Sequence, residues 1–236
     1  MWKENKDHSE QMTSIYSSAS IAANPMLSAA FVGRVLVACE YSGRVRDAFT
    51  AKGWDATSCD LLPSRTPGKH YQGNVLDIIN DDFDLLIGFP PCTFISNVNT
   101  KWRGDIERLK QACDGMKFFA DLYSAPIKMI CLENPVGMLS SCFRKPDQII
   151  TPVYFGGCEQ KNTCLWLKNL PKLIHVKTDN LFETKTHGIL SEEFTSNKPH
   201  RQSRWYNNNK SERSTTFQSV GNAMAEQWTA FVLGSS

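Results

Sequence analysis

The stretch RVLVACEYSG, residues 34–43, carries the clearest structural signal in the chain. Its first six residues form a short apolar run between polar neighbours, which is typical of a strand buried in a parallel sheet. Residues 40–43 then predict a turn. The residues from Val45 to Lys52 keep helical spacing, with Gly53 as the C-cap. Residues 34–53 therefore predict a strand, a tight turn and a helix in direct succession.

Short strands and helices alternate along the chain that follows. Residues 56–59, 83–88 and 127–132 are further strand candidates, and residues 105–123 predict a long helix. The apolar face of that helix is predicted to contain Ile106, Leu109, Cys113, Met116, Phe119 and Ala120. Because strands and helices alternate, the expected fold class is α/β, with a doubly wound, mostly parallel sheet.

Polar residues follow each predicted strand at its carboxyl end, where ligands bind in doubly wound sheets. They are the turn 40–43 after the first strand, Asp60 after the second, Cys92 after the third and Glu133 after the fourth. We therefore expect these residues to form one site. Two of the signals are weak alone, since the turn contains a single glycine, Gly43, and Asp60 taken alone is better explained as an ordinary turn residue.

Cys92 follows two consecutive prolines in the segment FPPC, residues 89–92. The prolines fix the backbone and present the next side chain from a rigid loop. A cysteine in such a place can act as a nucleophile if a nearby positive group stabilises its thiolate. The commoner role of cysteine is that of a small buried apolar residue. We predict that role for four other cysteines, which are Cys39, Cys59, Cys113 and Cys131.

Glu133 comes directly after the predicted strand 127–132. A carboxyl group that is half-buried at the end of a strand should have a raised pKa, and it could exchange a proton with a heterocycle. The alternative interpretation is an exposed acid in a surface loop.

Three segments resemble motifs of the cytosine-5 methyltransferases, and they occur in the order of that family. Residues 88–96, GFPPCTFIS, resemble its catalytic loop GGPPCQGFS. Residues 133–139, ENPVGML, resemble its ENV segment, and residues 217–224, FQSVGNAM, are similar to its C-terminal QxxGNAV motif. The compact chain also resembles the short bacteriophage and prophage members of the family.

This resemblance implies a Rossmann-like, S-adenosylmethionine-dependent methyltransferase fold that acts on cytosine in DNA. Cys92 would add to carbon 6 of the base, and Glu133 would hold ring nitrogen 3 protonated, so that carbon 5 takes the methyl group. S-adenosylmethionine would be the cofactor. The residues implied to bind it are Glu40, Tyr41, Ser42, Gly43, Asp60, Asn74, Val75, Pro90 and Asn222.

The chain departs from the family pattern at several of these positions. The family's Gln-x-Arg-x-Arg segment corresponds to residues 159–163, so Thr163 stands where the second arginine helps to hold the base. Lys161 is predicted to supply positive charge instead, as part of the catalytic group. Asn74 replaces an aspartate that binds adenine in the family, and Tyr41 replaces a glycine.

Four segments are predicted: a mobile tail at 1–32, a catalytic and cofactor-binding domain at 33–175, a basic and polar insert at 176–213, and a C-terminal helix at 214–236 that completes the catalytic domain. The insert is too short for the recognition domain with which family members read DNA sequence. Its Arg201, Arg204 and Lys210, mixed with aromatic residues, are predicted to contact nucleic acid. A solvated loop that covers the active site explains the insert equally well.

The composition limits the partners and the compartment. The net charge is only +2, so binding to DNA would depend on local basic patches. The eight cysteines include no CxxC pair, so we expect no metal and predict free thiols in the cytoplasm. A metal site built from Cys142, Cys158, Cys164 and His175 is the minority alternative. A signal peptide and a stretch of membrane-spanning length are both missing, so no membrane is expected.

Two alternative functions stay open at this stage. The same chemistry could act on RNA or on a free cytosine nucleotide, because the insert is too short for a full recognition domain. The chain could also be a non-catalytic relic that binds cofactor and nucleic acid. The presence of both Cys92 and Glu133 argues against a relic, because decay should erase one of them early.

Overall fold

A computed structural model describes residues 31–96, 105–157, 161–175 and 217–234 of this chain. Nearly all of the predicted tail, and the whole of the predicted insert at 176–213, lie outside the described residues. Arg201, Arg204 and Lys210 are therefore outside them as well.

Seven strands form one mixed sheet. They are β1 (Arg34–Ala38), β2 (Asp55–Asp60), β3 (His70–Gln72), β4 (Leu85–Gly88), β5 (Met129–Pro135), β6 (Gln148–Ile150) and β7 (Thr163–Lys168). Their order across the sheet is β3-β2-β1-β4-β5-β7-β6. The first five strands are parallel to their neighbours in that group, whereas β7 is antiparallel to both β5 and β6. This confirms the predicted α/β class and mostly parallel sheet, and the order of the first five strands is compatible with a Rossmann-like fold.

Helices cover both faces of the sheet. They are α1 (Arg44–Thr50), α2 (Ile106–Tyr123), the short α3 (Leu139–Cys142) and α4 (Gln218–Gly234), together with 3-10 helices at Val75–Asp77 and Pro152–Phe155. Alternate residues of a strand point to opposite faces. Val35 and Val37 of β1 accordingly pack in the core layer of α1 and α4, and Leu36 packs in the layer of α2. Among the described residues, no helix is both long and apolar enough to cross a membrane.

The strand predicted at 127–132 begins later and ends later than expected. β5 begins at Met129 and continues through Pro135 because β7 pairs with its final residues. Glu133 lies opposite Leu165 in this antiparallel pairing, and Pro135 lies opposite Thr163. Glu133 is therefore a partly buried strand residue, and the interpretation as a surface-loop acid is wrong.

The predicted apolar face of α2 is wrong in its first half. The helix begins where expected, with the Asp105 side chain accepting hydrogen bonds from two backbone amides. However, Ile106 is 71% exposed, and Leu109 and Cys113 are exposed as well. The residues that the helix buries are Ala112, Phe119 and Leu122. Phe119, which the predicted face includes, packs on Trp166 of β7, with 5.1 Å between ring centroids, so the prediction holds at this end of the helix.

Helix α4 is fixed by polar contacts at both of its ends. Near its start, Gln218 Nε2 donates to the backbone oxygen of Arg44, at 3.4 Å. Farther along, the Gln227 side chain exchanges two hydrogen bonds with the backbone of Ile174, at 2.7 and 2.8 Å. The Trp228 indole donates to the backbone oxygen of Pro171, at 3.1 Å.

The crossing of α4 over α1 requires a glycine at position 221. A Cβ atom at Gly221 would lie 3.1 Å from Cγ2 of Val45, so the two helices approach as closely as a missing side chain permits. Protein interiors are packed densely enough that added methyl groups force neighbours to move. The contact therefore sets the distance between the two helices.

Gly221→Val should destabilise the fold by about 1–3 kcal/mol, because the larger side chain overpacks this helix contact. Gly234→Val is the matched control, since a Cβ atom there meets no neighbouring atom. We expect the control to stay within about 0.5 kcal/mol of the wild type. Urea unfolding monitored by circular dichroism measures both variants, and equal midpoints for the two would contradict the close approach.

Candidate active site

The register of the sheet brings the predicted polar clusters to one edge. One row of paired residues crosses the sheet through Cys59 of β2, Ala38 of β1, Gly88 of β4 and Leu132 of β5. Adjacent strands lie about 4.8 Å apart, so the segments that follow these four residues are neighbours in the same order. The turn after β1 and the Cys92 loop after β4 thus leave the sheet side by side.

Glu40 is a buried carboxyl group in the turn after β1, and its residue is 3% exposed. Burial raises its pKa, while a hydrogen bond from the Ser42 hydroxyl and the backbone amides of Arg44 and Val45 act in the opposite direction. Its Oε2 atom is buried and has no hydrogen-bond partner within the described ranges. An unsatisfied buried oxygen is costly, so this atom indicates a place for a ligand that donates a hydrogen bond.

A buried arginine holds the loop after β2 against the same turn. Arg46 is 1% exposed, although arginine is rarely buried without partners. Its guanidinium group donates to Ser58 Oγ at 3.1 Å, Ser64 Oγ at 3.0 Å, Thr66 Oγ1 at 2.6 Å, the Pro67 oxygen at 2.9 Å and Asp47 Oδ1 at 2.8 Å. Residues 61–68 are thereby fixed beside the turn that ends at Gly43.

Gly43 is required in this turn for two reasons. Its φ angle is 78°, in the left-handed region that favours glycine. A Cβ atom there would overlap Thr66 Oγ1 and would lie 2.6 Å from Arg46 Nη2. The turn therefore packs directly against the loop that Arg46 holds.

Three predicted cofactor residues lie toward the β3 side of this edge. Asp60 uses Oδ1 to accept a hydrogen bond from the amide of Leu62, at 2.9 Å, as in an ordinary turn. Asn74 caps the 3-10 helix by accepting from the amide of Leu76, at 3.1 Å. The side chain of Val75 is buried in the core, so only its backbone could face a ligand.

Tyr41 and Asn222 lie at the outer surface of the site. The guanidinium group of Arg65 stacks on the Tyr41 ring, 4.7 Å from its centroid, and also donates to the Tyr41 hydroxyl at 3.1 Å. Asn222 is exposed on α4, and its Oδ1 accepts from Gln218 at 2.8 Å. Through Gln218, this part of α4 lies next to the first residue of α1.

The loop that carries Cys92 is joined to the end of β5 at two points. The buried Asn134 side chain donates through Nδ2 to the backbone oxygen of Pro90, at 2.8 Å. Farther along, the amide of Met138 donates to the backbone oxygen of Ile95, at 2.8 Å. The Cys92 thiol therefore projects from a loop whose backbone is held before and after it.

Cys92, Glu133 and Lys161 lie within electrostatic range of one another. Burial raises the pKa of the Cys92 thiol above its ordinary value of 9.0, the charge of Lys161 lowers it, and Glu133 raises it. Burial raises the pKa of Glu133 to about 7, and Lys161 again acts in the lowering direction. The three residues come from three adjacent strands of the sheet, β4, β5 and β7, or from the segments next to them.

The presence of a cation distinguishes Cys92 from the other thiols with shifted pKa values. Burial raises the pKa of Cys39 to about 12 and that of Cys59 to about 11, and nearby carboxylates raise both further. Burial and carboxylates also raise that of Cys131. Cys59 and Cys131 are core residues as predicted, whereas Cys39 is partly buried with a left-handed φ of 58°, and Cys113 is exposed. The core prediction for Cys113 is wrong because this part of α2 buries the neighbouring Ala112 instead.

Thr163 is a member of the site that the sequence identifies only as a missing arginine. Its hydroxyl group donates to Oε1 of Glu133. The rule that ligands bind at the carboxyl ends of strands overlooks it, because β7 is antiparallel and presents its first residues at this edge.

No group of three or more histidine, cysteine or acidic residues among the described residues could hold a metal ion. Cys158, one of the candidate ligands, lies outside them. No model of a known protein family matches the chain, and no curated protein matches it either.

Lys161→Met should slow the alkylation of Cys92 by iodoacetamide about three- to tenfold at about pH 8, because loss of the ammonium group raises the thiol pKa and lowers the thiolate fraction. Glu133→Gln should act in the opposite direction. Lys172→Met, which removes an exposed lysine, is the matched control. Mass spectrometry of the Cys92 peptide separates its reaction from those of the exposed Cys113 and Cys142. Equal rates for the two lysine variants would exclude the electrostatic contact.

Proposed function

We propose that this protein transfers a methyl group from S-adenosylmethionine to carbon 5 of cytosine in DNA, through a covalent bond to Cys92. One observation carries the proposal, which is that Cys92 lies beside a cation, Lys161, and a carboxyl group, Glu133, with a pKa of about 7. The three motif resemblances of the sequence supply the choice of substrate. The proposed fold is the methyltransferase form of the Rossmann-like arrangement, and the order of strands β1 to β5 supports it.

Each of the three side chains has a distinct role in this reaction. Lys161 stabilises the Cys92 thiolate before it attacks carbon 6 of the ring. As the carbon–sulfur bond forms, the electron pair of the double bond between carbons 5 and 6 becomes a double bond between carbons 4 and 5. The pair of the carbon 4–nitrogen 3 double bond moves to nitrogen 3, which takes the proton of Glu133. Carbon 5 then carries the electron density of an enamine and is nucleophilic.

The second half of the reaction restores the side chains. When bound, S-adenosylmethionine supplies the electrophilic methyl group that carbon 5 takes. Carbon 5 then gives its proton to water, the bond to Cys92 breaks with its electron pair returning to the thiolate, and the double bond between carbons 5 and 6 re-forms. Glu133 recovers its proton from nitrogen 3. A carboxyl group with a pKa near 7 is suited to both transfers, because neither protonation state is strongly favoured at neutral pH.

The edge of the sheet beside Cys92 fits the proposed cofactor. The unsatisfied Oε2 of Glu40 could accept a hydrogen bond from the ammonium group of its methionine part. Tyr41, Ser42 and Gly43 line the same turn. The remaining residues proposed to hold it are Asp60 at the ribose, Asn74 and Val75 at the adenine edge, Pro90 in the Cys92 loop and Asn222 at the outer side.

The proposed DNA substrate has a steric requirement. A cytosine inside a duplex cannot reach a thiol held in a loop at a sheet edge, so the base must be flipped out of the helix. We propose that the basic residues Arg201, Arg204 and Lys210 contact the DNA backbone during this step, because Lys and Arg neutralise phosphates.

Gly43→Ala should weaken binding of S-adenosylmethionine at least tenfold from a wild-type affinity in the micromolar range, on the order of −8 kcal/mol. The added methyl group pushes the turn away from Thr66 and Arg46. Gly156→Ala is a closely matched control, because Gly156 has nearly the same φ of 80° but no atom near a Cβ. In both variants an alanine in the left-handed region costs about 1–2 kcal/mol of stability. Because the two variants share this cost, only Gly43→Ala should change the affinity. Titration calorimetry measures this, and no heat for the wild type would remove the proposed cofactor.

Cys92→Ala should abolish methyl transfer to duplex DNA while leaving cofactor binding and folding nearly unchanged, because carbon 5 of cytosine is too weak a nucleophile without the adduct. Cys142→Ala, which removes an exposed thiol, should keep full activity. Duplex DNA with 5-fluorocytosine should trap the wild type as an adduct that survives denaturation, because fluorine cannot leave as a proton does. Glu133→Gln should slow formation of this adduct.

Two outcomes would revise the proposal in different ways. Methylated cytosine produced by the Cys92→Ala protein, detected by mass spectrometry, would end the covalent mechanism. An adduct with RNA or with a free 5-fluorocytosine nucleotide, but not with DNA, would keep the chemistry and replace the substrate.

A further inference from the structure

Thr163 is placed by the sheet so that its side chain meets Glu133. It is the first residue of β7, is 2% exposed, and pairs with Pro135, two residues beyond Glu133 on β5. Residues two apart on a strand share a face, so Thr163 is a diagonal cross-strand neighbour of Glu133. The hydrogen bond between the two side chains is thus a consequence of strand register.

This hydrogen bond constrains one oxygen of the Glu133 carboxyl group and makes no contact with the other oxygen. The Thr163 hydroxyl donates to Oε1 of Glu133. With Oε1 occupied as an acceptor, the proton of the neutral acid belongs on Oε2. A carboxyl group that could otherwise rotate about its last torsion is held in one orientation, with its two oxygens made inequivalent.

We propose that Thr163 is the positioning residue for Glu133, fixing the orientation of its carboxyl group and assigning its exchangeable proton to Oε2. The catalytic consequence of this inference rests on the proposed function, whereas the positioning itself does not. Because threonine is neutral, it orients the acid without adding a second cation beside Lys161. A cation in its place would favour the ionised carboxylate more strongly than a hydroxyl does.

The threonine hydroxyl also has a predictable effect on titration. Donation to a carboxylate favours the charged form, so it acts against burial, which raises the pKa of Glu133 to about 7. Without the hydroxyl, the neutral acid should persist to higher pH. If methyl transfer requires protonated Glu133, then activity falls as pH rises through this pKa, and loss of the hydroxyl should move that fall upward.

A pair of substitutions separates the hydroxyl from the shape of the side chain. Thr163→Val keeps the branched shape and removes the donor, whereas Thr163→Ser keeps the donor and removes a methyl group. Thr229→Val is the matched control. It deletes another buried threonine hydroxyl, one that accepts from the Trp54 indole at 2.8 Å rather than donating to Glu133.

The first measurement needs neither substrate nor cofactor. Carbon-13 NMR of protein labelled at the glutamate side-chain carboxyl carbons follows the titration of Glu133, and the signal is assigned by its loss in Glu133→Gln. We expect Thr163→Val to raise the pKa above the wild-type value of about 7, and Thr163→Ser and Thr229→Val to leave it near that value.

The second measurement is the pH profile of a single turnover on cytosine-containing DNA. Thr163→Val should lower the plateau rate about tenfold, through loss of orientation, and should shift the alkaline limb upward. Thr163→Ser should retain the wild-type limb. Thr229→Val should be less stable but should titrate and turn over with the wild-type pH profile.

The outcomes distinguish the inference from the proposed function. An unchanged Glu133 titration in Thr163→Val would overturn the positioning role, and so would a serine variant that behaves like the valine variant. If the titration shifts as expected but the wild type methylates no substrate, the positioning role is supported and the proposed reaction is excluded.

Discussion

The parallel register of β4 with β5 is the constraint on which the candidate site depends. It places Gly88 opposite Leu132. The loop that contains the two prolines and Cys92 therefore leaves the sheet beside the carboxyl group of Glu133. The buried Asn134–Pro90 hydrogen bond then fixes the loop to the neighbouring strand. A shift of one residue in this register would turn Glu133 to the opposite face of the sheet and remove the acid from the thiol.

The reversed direction of β7 completes this arrangement from the other side. If β7 ran parallel to β5, it would present its last residues at the edge of the sheet that holds Cys92. The antiparallel β7 presents its first, so Lys161 and Thr163 arrive next to Glu133. Pairing with β7 also extends β5 by three residues, Glu133 to Pro135, so Glu133 lies within the sheet. Burial at this pairing raises the pKa of the acid, and the charge of Lys161 lowers it.

Short sequence patterns were sufficient to predict those strands and helices whose apolar spacing lies within a few consecutive residues. Short strand-like runs predicted β1, β2 and β4, and helical spacing predicted the start of α2. Strands β3 and β6 have three residues each, too few for any periodicity. The packing of α2 and the partner of Thr163 both depend on β7. Because Thr163 of this strand contacts Glu133 across 30 residues of sequence, no local pattern contains that information. The residue types predicted Cys92, Glu133 and Lys161 as site residues, but they did not predict the contact of Thr163 with Glu133.

The hydrogen bonds that join Ile174 to Gln227 close the chain on itself around the interval between them. Once the two ends of an interval are fastened to a common core, its length matters little, since each doubling costs only about 0.6 kcal/mol in loop-closure entropy. The sheet and helix α4 can therefore tolerate exchange of this interval for a longer or shorter one. The interval can therefore change in evolution without rebuilding the sheet edge that holds Cys92 and Glu133.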